Sequence, residues 1–114
     1  MAKDDYFVIM YRILVYLYAC DKEGSEFNPK AISFERMGIP ESYWTNVIED
    51  MLDHKYLKGA TIEEFCGGAK LVEWDRPRIT QEGVEFISEN SNMAKAKKVL
   101  KELKETIPGL SLFI

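Results

Sequence analysis

Between Tyr6 and Cys20 the chain runs for 15 residues with a single charged side chain, Arg12. A segment of this kind must hide nearly its whole circumference from water. Its length argues against a membrane span, which needs about 20 apolar residues, and so do its four tyrosines, Tyr6, Tyr11, Tyr16 and Tyr18. The spacing predicts a helix from about Asp4 to Asp21, with Tyr6, Ile9, Met10, Ile13, Leu14 and Leu17 on one face. Val8, Tyr11, Val15, Tyr18 and Ala19 occupy the other face. One side therefore meets the core, and the other needs a C-terminal helix or another subunit as cover.

The four prolines divide the remainder at Pro29, Pro40, Pro77 and Pro108, each expected at an element boundary. Asn28 is a natural N-cap with Pro29 in the first helical position, which starts a second helix ending near Met37. Gly38 supplies a turn. Pro40 and Glu41 then open a third helix whose Tyr43, Val47, Met51 and Leu52 face inward as far as about His54. Tyr56–Ile62 and Lys70–Trp74 read as strands joined by a loop containing Gly67 and Gly68, an antiparallel hairpin. Thr80 caps a fourth helix carrying Val84, Phe86 and Ile87, which Asn90, Ser91 and Asn92 interrupt. Met93, Ala96, Val99, Leu100, Leu103 and Ile107 predict a last helix from about Met93 to Thr106, stopped by Pro108 and Gly109.

Two helices joined by a glycine turn and followed at once by a hairpin give an α+β winged helix-turn-helix with additional C-terminal helices. At 114 residues the chain holds one domain. The helix-turn-helix covers about 28–54, the wing about 56–79 and the C-terminal helices about 80–107. The resemblance rests on Tyr11, Ile13 and Leu14 in the first helix, Tyr56-Leu57-Lys58-Gly59 opening the hairpin, Ile79-Thr80 with Gly83, Phe86 and Glu89-Asn90 after it, and a lysine-rich final helix. In these features the chain resembles the YjcQ family of small winged-helix proteins from bacteria and phages. The resemblance implies the fold and a phage or prophage setting; the family has no assigned catalytic residue to carry over.

The residues offer little material for catalysis, so no enzyme is expected. His54, the one histidine, sits at a helix C-terminus, where a surface or capping role suffices. Cys20 and Cys66 have no ligand partners at metal spacing, and Gly67-Gly68 lacks the lysine and hydroxyl of a phosphate loop. No metal, cofactor or small-molecule substrate is expected. Free thiols and an acidic N-terminus without a signal-peptide pattern suit the cytoplasm.

Winged helices suggest double-stranded DNA as partner. In that reading Ser42, Thr45 and Asn46 approach base edges while Lys70, Arg76 and Arg78 contact phosphate. A ridge of Lys97, Lys101 and Lys104 on the last helix adds cations. The charge opposes it: the net is −4, and Pro40–Leu57 holds Glu41, Glu49, Asp50 and Asp53 against Lys55. The first 54 residues carry five basic and ten acidic side chains, and the remaining 60 carry ten and nine. The alternative is a protein-interaction module, a homodimer or the receiver of a foreign partner, using surplus apolar residues at Tyr11, Tyr18, Phe113 and Ile114. Base rate and resemblance favour DNA-associated regulation. Whether Trp44 and Trp74 are core residues or displayed anchors is left open by the pattern.

Overall fold

A computed structural model describes residues 3–91 and Lys101. Among the described residues the fold is α+β, with four α-helices, one 3-10 turn and a two-stranded antiparallel sheet. Helix α1 (Lys3–Glu23) passes through the middle of the core. Tyr11, Ile13, Leu14, Val15, Tyr16, Leu17 and Ala19 are all buried, so both sides of its middle are covered, while Phe7 near its start is exposed. Helix α3 (Glu41–Asp53), helix α4 (Gln81–Glu89) and the hairpin pack around it. The all-round apolar character of α1 is thus satisfied within one chain. No helix among the described residues is long and apolar enough to cross a membrane.

The expected second helix is divided in two. Asn28 does cap it, its side chain accepting from the Lys30 N–H at 3.1 Å, but Pro29–Ile32 forms a 3-10 turn and only Phe34–Met37 forms α2. Ser33 makes the break, because its hydroxyl donates to the Lys30 carbonyl and accepts from the Arg36 N–H, both at 3.2 Å. Serine competes with the helical backbone in this way and restarts the helix as a new N-cap. The Ile32 carbonyl, freed from the helical ladder, accepts from Trp44 Nε1 at 2.9 Å. Gly38 closes α2 in the left-handed conformation at φ 68°.

The inward stripe of α3 is Trp44, Thr45, Val47, Ile48 and Met51, while Tyr43 and Leu52 are half-buried. Trp44 and Trp74 meet edge to face with centroids 6.3 Å apart, and Phe34 and Phe27 extend the cluster. Trp44 is a core residue; Trp74 is half-buried against it.

The strands are longer than the sequence pattern suggested, with β1 at Leu57–Glu64 and β2 at Lys70–Ile79. Pro77 therefore lies inside a strand and not at a boundary. It is tolerated because the register slips there: Lys58 pairs with Arg78 and Ala60 with Trp74, so three residues of β2 oppose Gly59 alone. Gly59, at φ 82°, is pressed against this bulge, and a Cβ would fall 2.6 Å from the Arg76 carbonyl oxygen. The bulge also holds Arg76 at φ 52°. Thr80 caps α4 as expected, accepting from the Gly83 N–H at 3.1 Å.

Candidate functional site

Helix α3 lies against the inner face of the hairpin, and the seam between them forms three clefts that share Lys70. The first, about 220 Å³, is floored by Trp44, Trp74 and Phe34. The second, about 380 Å³, lies beside Ser42, Asn46 and the glycine turn at Gly68. The third, about 390 Å³, is walled by Glu49, Asp53 and Glu64. An aromatic end thus passes into a carboxylate-rich end along one side of α3.

Lys70 is held in this seam by ion pairs. Its ammonium lies 3.0 Å from Glu49 Oε2 and 3.8 Å from Glu64 Oε1. The hydrogen bond to Glu49 keeps the amine protonated to higher pH than an ordinary lysine. Asp50, on the same helix, accepts from the Tyr6 hydroxyl; burial first, and that bond second, raise the tyrosine's pKa. No lysine or arginine stands anywhere in α3 itself.

The residues expected at a DNA interface are only partly brought together. Ser42 and Asn46 are exposed one turn apart on α3, but Thr45 is 4% exposed and turns into the core. Helical phase explains this correction, since Thr45 shares the inward stripe with Ile48 and Trp44. Lys70 is committed to carboxylates. Arg78 is bound at the opposite end of the hairpin, with Nε 3.4 Å from Asp21 Oδ1. Arg76 is exposed beside it, so the three expected phosphate contacts divide between two ends of β2, roughly 20 Å apart at strand rise. Lys101 is helical and exposed; Lys97 and Lys104 lie outside the described residues.

The expected interface residues also change. Tyr11 is fully buried inside the chain, where the first helix meets its neighbours, and is not available to a partner. Burial raises its pKa, and among the described residues its hydroxyl has no hydrogen-bond partner. Tyr18 is half-buried with the Lys22 ammonium 5.5 Å from its ring centroid. Phe113 and Ile114 lie outside the described residues. Sequence reasoning missed Leu71, which is 47% exposed at the rim of the first cleft, and Phe65, 50% exposed in the hairpin turn. The alternation along β2 could have marked Leu71, paired with Glu63, as an exposed position.

His54 ends α3 with its Nδ1 2.8 Å from the Asp50 carbonyl oxygen, and its ring stacks on Tyr56. Cys20 is half-buried, and burial raises its thiol pKa; Cys66 is exposed in the hairpin turn. Among the described residues no group of three or more potential ligands could hold a metal ion.

Four residues of the family resemblance, Tyr56, Thr80, Gly83 and Phe86, meet at the junction of the hairpin base with α4. The Thr80 hydroxyl donates to the Lys55 carbonyl, and the Thr80 N–H donates to the Tyr56 carbonyl at 3.0 Å. Gly83 leaves no room for a side chain, since a Cβ would fall 2.1 Å from the Tyr56 carbonyl oxygen. Phe86 packs on Tyr56 with centroids 5.0 Å apart. This part of the motif is a packing signature, remote from the seam. Comparison with known proteins agrees: the family model described as YjcQ protein matches residues 11–106. No curated protein and no solved structure matches the chain.

Proposed function

The chain belongs to the YjcQ family, and from that premise we infer that it is a winged-helix protein whose α3 and hairpin bind another protein and do not read DNA. The observation that carries this reading is the state of Lys70, the hairpin cation nearest α3, which is spent on Glu49 and Glu64. With it neutralised, α3 itself presents Glu41 and Asp53 and no lysine or arginine. Binding to nucleic acid depends on neutralising phosphates, so a recognition helix of this charge repels its ligand. The same reading makes the chain a non-enzymatic protein, with His54 placed at the C-terminal end of α3 against the Asp50 carbonyl.

DNA-associated regulation is the second reading, favoured by the exposed Ser42 and Asn46 one turn apart and by the exposed Arg76. Fluorescence anisotropy of a labelled random duplex, titrated with protein from low to physiological salt, separates the two. The protein-binding reading expects no rise in anisotropy at any salt. A salt-dependent rise that falls several-fold in the Arg76→Ala/Arg78→Ala double variant would establish the DNA reading in its place.

A further inference from the structure

Resting on the protein-binding reading, we propose that the seam between α3 and the hairpin is a groove for an extended basic segment bearing large apolar side chains at its centre. The three clefts share Lys70 as a wall. They follow α3 for about 20 Å at helical rise, a length that about six extended residues span. The aromatic end is lined by half-buried Trp74 with Trp44 beneath it, and Leu71 stands exposed at its edge. This end suits an apolar anchor, which would cover Leu71 as well as the ring faces.

Charge decides the rest of the occupant. Glu41, Glu49, Asp53 and Glu64 line the groove against Lys30 and Lys70, four carboxylates to two ammonium groups. Lys70 lies between Glu49 and Glu64, and Asp53 has no ion pair with any described cation. A lysine or arginine of the partner finds Asp53 and the outer oxygens of Glu64 and Glu49 at the far end. An acidic segment, or a phosphate backbone, meets the same groups as repulsion. Lys70 would stay in place, its pairing with Glu49 fixing the spacing of the two walls.

The test uses three capped peptides, KKLFKK, EELFEE and KKGSKK, with the full chain. Binding is read from the emission of Trp44 and Trp74, which the peptides lack. KKLFKK should shift the emission saturably, while EELFEE and KKGSKK should not. Leu71→Ser and Asp53→Asn alter exposed positions, so both variants should fold, and each should weaken KKLFKK at least fivefold. Equal binding of EELFEE, or affinity unchanged in both variants, would overturn the proposal. Light scattering that shows a dimer dissociated by Leu71→Ser would also overturn it, by assigning the groove to a second copy. Absence of KKLFKK binding together with absence of DNA binding refutes the groove alone, whereas salt-dependent DNA binding refutes the reading beneath it.

Discussion

Gly83 shows how a single residue can be fixed by its surroundings without any special backbone angle. Alanine in its place would gain about 1 kcal/mol in helix propensity, but its methyl would collide with the Tyr56 carbonyl and the Ile79 side chain. The collision is with backbone on one side, so it wins. We expect Gly83→Ala to destabilise the protein by about 2 kcal/mol or more, read from the urea midpoint; an unchanged midpoint would mean that α4 does not seat this closely. Tyr16 gives a pH-dependent counterpart. Burial pushes its pKa up to about 12, against a weaker opposing effect of the Asn28 N–H that donates to its oxygen. The folded value lies above the unfolded one of about 10, so its stabilisation is complete below pH 10 and is lost as pH rises toward 12. That loss amounts to about 2 kcal/mol, and Tyr6 and Tyr11, shifted in the same direction, add to it. Denaturation midpoints from pH 9 to 12 should fall more steeply in the parent chain than in Tyr16→Phe. Equal slopes would remove Tyr16 from the account.

Among the elements, those set by local chemistry were legible and those set by distant partners were not. Asn28, Gly38 and Thr80 act through their own turns, and all three occupy the positions that the sequence pattern predicts. Pro77 misleads because its place in β2 depends on Gly59, across the sheet. The break at Ser33 is hidden for a related reason: Trp44, 11 positions on, takes the Ile32 carbonyl that a continuous helix would use. Thr45 looks like a polar surface residue until the phase of α3 is fixed by Trp44 and Ile48 entering the core. The candidate site was less legible still, because Lys70 reads as a free cation locally and its partner Glu49 lies on another element. Ser33→Ala tests the broken helix directly, with an expected loss of about 1 kcal/mol for the cap. No loss in equilibrium unfolding would show that the Trp44 hydrogen bond alone holds the break.

At the scale of the whole molecule, charge is separated along the hairpin. Carboxylates collect at α3 and the distal strands, and exposed Lys58, Arg76 and Arg78 collect at the base, where Asp21 already binds Arg78. A small α+β scaffold is compatible with many functions, so the scaffold alone does not choose between DNA and protein. On the proposed reading the arrangement of charge favours protein, because α3 carries carboxylates and no lysine or arginine. Amide chemical-shift mapping of the full chain with a random DNA duplex at low salt tests this most directly. The account predicts no perturbation along Glu41–Asp53 at any duplex concentration. Shifts at Ser42 and Asn46 that disappear as salt is raised would contradict it and return α3 to the role of a DNA-reading helix.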